Sequence, residues 1–426
     1  MAAAKRKLAD PLEPLYKFLG RWFYKPDLQA IRIVLGTLMT HYLNLGDPAW
    51  LFVVAPPGTG KTTISILAAS NLPQVQTLSS FTENTLLSGF YGHRTPGLLE
   101  KLGETKRKGR TFTTRGDGLF LAKDFTSVLS MRRETRAAIL GQLREIHDGQ
   151  YRRDFGTGVT KIWKGRVTII AAVTPVLDRY YSIFSVLGER FLQVRWHRPD
   201  SEEAGKWAIR QQGQEAKIQR RARTIIGTVF KLALKNPPVL SPEMEYRIVC
   251  LAEIVAISRT HIFRSSYGNR EMEHVPEPEA NTRISKGLAA IARGIAALNQ
   301  HSEVEEQDLQ DAIRVGLDCL PDNRRRLLLA VMRGEKLLGV AMPETVRRRE
   351  LEELEALEII EKDQTKMEEP ADLFETAPRK TFPWKLTQRA KRLLISAGLL
   401  TAENPHDEPS TTPDEAENGV PVSVKS

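Results

Sequence analysis

The chain has 426 residues, 41% of them apolar, and no run approaches the roughly 18 apolar residues of a membrane span, so no membrane partner is expected. It carries 62 Lys and Arg against 52 Asp and Glu, a net +10; the segment 401–426 holds six acids and one base, Lys425, which leaves residues 1–400 with 61 bases against 46 acids, or +15. Such a balance suits a polyanionic partner, and the length exceeds one ordinary core, so three folded units are expected.

The first ten residues, Met1 to Asp10, carry charge with no apolar stretch behind it, which predicts no secretory signal and a cytoplasmic protein. Cys250 and Cys319 lie far apart, each inside an apolar helical pattern, so neither a disulfide framework nor a metal knuckle is expected. After a helical N-terminal segment, short apolar runs alternate with helical patterns between Trp50 and Trp196. They are Leu51 to Ala55, Thr62 to Ala69, Gly118 to Ala122, Thr135 to Ile146, Val167 to Thr174 and Phe191 to Trp196. That alternation predicts an α/β fold with a parallel sheet over residues 1–200.

The run Leu51 to Val54 leads into Ala55-Pro56-Pro57-Gly58-Thr59-Gly60-Lys61-Thr62-Thr63 and then an amphipathic segment. This is the context of a phosphate-binding loop. Glycines let backbone N–H groups curl around the β- and γ-phosphates of ATP, Lys61 supplies a point charge, and the Thr62 hydroxyl can ligate Mg²⁺ at the start of a helix. Pro57, Gly58, Thr59, Gly60, Lys61, Thr62 and Thr63 are therefore the candidate nucleotide-binding residues; the first Gly of the usual pattern is Ala55 here. Such a site needs a carboxylate at the end of a neighbouring strand. Gly118 to Ala122 ends in Lys123-Asp124 where the usual pair is Asp-Glu. Asp124 is either the acid of the Mg²⁺ shell or the base that polarises water, and the missing second acid puts fast hydrolysis in question.

With the phosphate loop, Ile139 to Tyr151 (a helix running into a Gly turn) and Tyr151 to Trp163 (two short strands around Gly156-Thr157-Gly158) make the chain resemble the AAA+ ATPases. The resemblance is to the branch with a hairpin before the sensor strand, which includes the minichromosome-maintenance helicases and MoxR-type proteins. It covers roughly Leu45 to Leu320. It implies a homo-oligomeric ring whose hairpin points into the pore and touches DNA, with Arg152, Arg153 and Lys161 as contacts and Lys164 alongside. The alternative is a charged, exposed hairpin without a ligand. It further implies that Thr174, closing Val167 to Pro175, orients water at the γ-phosphate. Arg190 in Gly188-Glu189-Arg190-Phe191 resembles the arginine finger offered to a neighbour, against a plain salt-bridge role. Arg283 in Ala280 to Ser285 resembles the sensor-two arginine that reaches the nucleotide from a helical lid, with Thr282 placed to cap its helix.

Residues 201–320 read as helical throughout, with a start at Ser241-Pro242-Glu243, and are expected to form that lid. Residues 321–400 read as a helix at Asn323 to Arg333, a second at Met342 to Leu357, strands at Glu358 to Lys362 and Trp384 to Leu386, and a last helix at Thr387 to Ser396. That order resembles a winged helix-turn-helix, whose Arg347, Arg348 and Arg349 suit phosphates or guanine edges, or else a protein-docking module. Core, lid and winged helix in this order also resemble the RuvB-type motors and origin-recognition initiators. The Pro-, Thr- and acid-rich segment 401–426 is expected to be disordered. The functional expectation is an ATP- and Mg²⁺-dependent ring ATPase acting on DNA. The alternatives are a MoxR-like remodeller of a protein partner and an ATP-gated DNA-binding switch that seldom hydrolyses.

Overall fold

A computed structural model describes residues 10–58, 72–79, 81–82, 84–88, 96–181, 190–197, 200–265, 271–363 and 384–401. Two helices precede the sheet. α1 (Glu13–Trp22) follows Pro11, and α2 (Leu28–Leu43) is capped by Asp27, whose carboxylate accepts the Ala30 N–H at 3.0 Å. The strands that follow are β1 (Trp50–Val54), β2 (Val75–Leu78), β3 (Glu104–Lys108), β4 (Thr111–Arg115), β5 (Gly118–Ala122), β6 (Gln150–Asp154), β7 (Thr160–Lys164), β8 (Val167–Val173) and β9 (Phe191–Arg195), with α3 (Arg133–His147) before β6.

Five of these strands form one parallel sheet in the order β2-β5-β8-β1-β9. Every residue of β1, β5 and β8 is buried, as apolar runs covered on both faces require. Side chains alternate with a period of two. Trp50, Phe52, Val54, Phe120, Ile169, Val173 and Phe191 share one face with α3, and the Phe52 and Phe191 rings stack there at 3.9 Å. Leu51, Val53, Leu119, Leu121, Ile170, Leu192 and Val194 face α2 and the C-terminal helices. A second, four-stranded sheet in the order β3-β4-β7-β6 joins two hairpins through a parallel β4–β7 pairing.

The C-terminal half contains α4 (Ser201–Arg210), α5 (Glu215–Leu232), α6 (Pro242–Ser258), the hairpin β10 (Phe263–Arg264) and β11 (Met272–His274), then α7 (Thr282–Leu298), α8 (Glu306–Asp318), α9 (Asp322–Met332), α10 (Glu344–Ala356), β12 (Ile360–Lys362), β13 (Trp384–Leu386) and α11 (Gln388–Ser396). α7 lies directly on α2. A Cβ at Gly36 would stand 2.3 Å from Ile295 Cγ1 and one at Gly294 would stand 2.2 Å from the Gly36 carbonyl oxygen, so only glycine at both positions permits this crossing. The last module is continuous with the rest, because Leu351, Leu354, Ile360 and Leu394 join the core that holds α6, α7 and α8.

Two local expectations are corrected. Residues 201–320 are not helical throughout, since β10 and β11 pair between α6 and α7. Thr282 is the first helical residue of α7 and not its cap; Asn281 stands at the cap and makes no capping bond, its amide donating instead to Glu253 at 2.9 Å. Ser241 does cap α6 through the Met244 N–H, and Cys250 and Cys319 are buried free thiols. Among the described residues no helix is long and apolar enough to cross a membrane.

Candidate functional site

Three adjacent strands deliver residues to one edge of the parallel sheet. β1 runs into Ala55-Pro56-Pro57-Gly58, where the Ala55 N–H donates to the Val173 carbonyl at 2.9 Å and Gly58 takes φ +91°, a left-handed conformation that favours glycine. β5 ends beside it, one strand removed. The Lys123 N–H donates to Leu78 and the Phe125 N–H to Ala172 at 2.8 Å, so the segment after β5 folds over the end of β8. Phe125 holds it there, fully buried against the rings of Phe52, Phe81 and Phe191.

This clamp fixes two polar side chains. Asp124 Oδ1 accepts the Thr126 N–H at 2.9 Å, so the half-buried carboxylate is held by its own loop. Thr126 Oγ1 in turn accepts the Thr174 N–H at 3.0 Å and lies 3.4 Å from Thr174 Oγ1. Asp124, Thr174 and the Pro57-Gly58 turn thus close the carboxyl ends of β5, β8 and β1, strands about 4.8 Å apart. From β8 the chain crosses β1 to reach β9, which makes this edge a topological switch point of the kind where α/β sheets bind ligands. Thr126 was not anticipated as a site residue; its role depends on a residue 48 positions away. Thr59, Gly60, Lys61, Thr62 and Thr63 lie outside the described residues, as do Gly188 and Glu189 and all of the segment 401–426 except Thr401.

Next to β1 on the other side, the Trp196 N–H donates to the Val54 carbonyl at 2.9 Å, and a cleft of about 960 Å³ opens beyond it, lined by Lys25, Asp27, Trp196, His197 and Arg314 among others. Asp27 organises its wall. Besides capping α2, it accepts the His197 N–H at 2.8 Å and Arg314 of α8 at 2.8 Å. Burial pushes this carboxyl upward, but the Arg314 hydrogen bonds and charge outweigh it and hold the group below the usual carboxylate range. Arg195 grips Asp178 through two bonds of 2.7 and 2.9 Å and donates to the Leu320 carbonyl, tying the segment after Thr174 to the start of α9. Sequence reasoning missed this cleft. Pro26-Asp27 before an apolar run signals a helix cap, but nothing local marks Arg314 as its partner.

Arg190 and Arg283 sit at the opposite edge. Both line a cavity of about 310 Å³ with Trp50, His147 and Phe191, at the amino ends of β1 and β9. A five-residue strand spans about 16 Å, which separates this cavity from the carboxyl end of β1. Arg190 lies 3.3 Å from both carboxylate oxygens of Asp148, and Arg283 lies 3.9 Å from Glu279. The resemblance implies an Arg283 that reaches the nucleotide from the lid; here it stands beside Arg190 instead. The reason is packing, because Gly287, one turn on, rests against Leu192 near the start of β9. Burial, reinforced by the Arg190 charge, pushes the His147 imidazole down to about 4.

The expected hairpin is β6–β7. Its turn closes through the Phe155 N–H to Val159 and the Gly158 N–H to Phe155, each 2.9 Å. Arg152 is exposed and paired with Asp154 at 3.1 Å, and Arg153 lies over the Phe155 ring at 5.2 Å. Lys161 is a correction. It is 5% exposed and pairs with Glu100 at 2.7 Å, so it holds the small sheet to the core and is not available to DNA. The sheet instead gains an unanticipated hairpin, β3–β4, which presents exposed Lys106, Arg107 and Lys108. Its signal was Gly109, at φ +62°, before the Thr-rich run Thr111 to Arg115.

Arg347 is a second correction. It is buried, pairs with Glu344 at 3.0 Å and donates to the Val340 and Met342 carbonyls, so it secures the loop before α10. Arg348 is exposed and 3.6 Å from Glu352, and Arg349 is 3.9 Å from Glu350. The same helix sends Glu350 and Glu353 inward to Arg324 of α9, and Glu353 also takes Arg264 at 2.7 Å. No protein-family model matches the chain, and a search of curated proteins returned no match.

Proposed function

We propose that the chain is an AAA+ ATPase: an α/β core that binds ATP, a helical lid at 201–320 and a C-terminal winged helix at 321–400, assembling into a homo-oligomeric ring in the cytoplasm and acting on DNA. The observation that carries this reading is the convergence of the Gly58 turn, Asp124 and Thr174 on one sheet edge, with Thr126 bonded to both of the latter. In this reading the N–H groups from Gly58 to Thr63 cradle the phosphates and Lys61 faces the β- and γ-oxygens. The cleft beside Trp196 has room for a nucleoside base next to that loop.

Thr62 and Asp124 would hold the Mg²⁺, and the chemistry of the donors fits, since a hard cation takes oxygen ligands and one Asp124 oxygen has no hydrogen-bond donor among the described residues. Bound there, the ion would neutralise charge on the β- and γ-oxygens. Thr174 would hold the attacking water in place, with its backbone fixed by Thr126. If Asp124 works on water it acts as the base; if it serves the metal shell, hydrolysis is slow and the protein behaves as an ATP-gated switch.

The placement of Arg190 and Arg283 supports assembly. Both stand across the sheet from their own phosphate loop, so a neighbour's nucleotide is the one they would face, and a head-to-tail ring is the arrangement that brings it to them. One observation favours the second reading, a remodeller of a protein partner: Arg347 is consumed by its own loop, which removes a cation from the expected DNA-reading helix.

The deciding experiment is nucleotide binding by the full chain with and without Mg²⁺, repeated with Lys61→Ala and Asp124→Asn. Lys61→Ala should lose ATP binding with the fold intact. Asp124→Asn, which keeps an acceptor for the Thr126 N–H, should spare binding and slow turnover by about 10²- to 10⁴-fold if the carboxylate is the base, or weaken Mg²⁺-dependent binding if it serves the metal. Wild-type affinity and rate in Lys61→Ala would overturn the reading.

A further inference from the structure

The outer face of α5 is a stripe of cations without counter-charges among the described residues. Buried Ile218, Ala222, Ile226 and Val229 set its inner face, and α1 lies alongside, its Trp22 ring 5.9 Å from the Lys217 ammonium at the N-terminal end of the outer face. At 100° per residue, Lys217, Arg220, Arg221, Thr224, Thr228 and Lys231 fall within an arc of about 100° on the opposite side, and all six are exposed. Glu215, the helix's only acid, precedes Lys217 by two residues and so points about 200° away from it. None of the four cations has an ion pair among the described residues, whereas Lys161, Arg347, Arg190 and Arg264 all do. From Lys217 to Lys231 the stripe runs about 21 Å along a rigid helix.

We propose that this stripe is a docking surface for the phosphodiester backbone of duplex nucleic acid. Charge complementarity selects a polyanion, because four uncompensated cations interleaved with two hydroxyls repel one another until phosphates lie between them. Duplex is selected over single strand because no aromatic side chain of α5 falls within the arc, and the Trp22 ring of α1 stands at one end only, against Lys217, so no row of rings is offered on which successive unpaired bases could stack. An anionic membrane is disfavoured because no large apolar side chain lies within the arc; the exposed Leu232 falls about 20° beyond its Arg221 edge. The contact is independent of base sequence, since only backbone is engaged. The proposal rests on the DNA part of the functional reading and not on its ATP part.

The test is fluorescence anisotropy of a labelled random-sequence duplex with the full chain, without nucleotide, from about 50 to 200 mM salt. It is repeated with Lys217→Gln, Arg220→Gln, Arg221→Gln and Lys231→Gln combined. Gln is a good helix former and the four sites are exposed, so melting should be unchanged. The slope of log affinity against log salt should fall by about 3, with affinity down roughly tenfold or more, while ATP binding is unaltered. An unchanged slope overturns the proposal. So does a stripe-dependent loss seen only with single strands, or only with phosphatidylserine vesicles. Failure of Lys61→Ala to affect ATP would leave this result readable, because no arm of the assay contains nucleotide.

Discussion

Thr126 Oγ1 accepts the backbone N–H of Thr174 at 3.0 Å, and this bond locks the segment after β5 to the end of β8. The same residue gives its own N–H to Asp124 at 2.9 Å, so one threonine orients both polar groups that face the end of β1. Thr126→Val keeps the shape and removes the acceptor. It should leave the half-buried Thr174 N–H unpaired at a cost of about 1–3 kcal/mol, while Thr126→Ser should behave as wild type. Chemical denaturation of the three proteins measures the first effect. Phosphate release should fall in the Val variant alone; equal rates in all three would show that Thr174 needs no such support.

Arg190 and Arg283 share a cavity across the sheet from Gly58, so in the proposed ATPase neither would serve the phosphate loop of its own chain. Specific ATPase activity should therefore rise with protein concentration as subunits associate. Arg190→Ala and Arg283→Ala should each bind ATP nearly normally and hydrolyse it slowly. Mixing either with Lys61→Ala should restore part of the activity, because some junctions then pair an intact loop with intact arginines. Activity per subunit that stays flat while sedimentation shows association would refute action in trans.

Lys161 and Glu100 form a pair whose side chains are 7% and 12% exposed, and Glu100 also accepts the Gly97 N–H at 2.7 Å. Removing one partner strands the other charge. Lys161→Ala should destabilise the protein by about 3–5 kcal/mol, whereas Arg348→Ala, at an exposed pair, should cost less than about 1. Urea unfolding compares them directly. A Lys161→Ala protein as stable as wild type but defective with DNA would return that lysine to the binding face.

His147 packs edge-on against Trp50 at 5.0 Å, and burial holds its imidazole neutral down to about 4 from an ordinary 6.5. The unfolded chain therefore binds the proton first on acidification. The stability this histidine contributes is complete above pH 6.5 and is lost as pH falls toward 4, on the order of 3 kcal/mol across that window. His147→Gln should flatten the stability–pH curve there. A curve of wild-type slope in the variant would assign the acid sensitivity to other groups.

What the sequence determined was local. The buried runs of β1, β5, β8 and β9, the Gly-turn hairpin of β6–β7, the Ser241 cap and the core cysteines are each readable within a dozen residues, because burial of a strand or helix face imposes its period on its own stretch of chain. The tertiary structure alone decided which charges were free. Lys161 reads as an open cation because Glu100 lies 61 residues away; Arg347 has Glu344 one helical turn before it, but the Val340 and Met342 carbonyls that bury it are backbone and carry no residue signature. Asp27 meets Arg314 across 287 residues, and Arg283 stands with Arg190 because α7 lies on α2 through Gly36 and Gly294. A charged side chain carries no mark of its partner. It pairs with whichever opposite charge the packing of apolar faces brings within reach, so its availability to a ligand is a property of the assembled core.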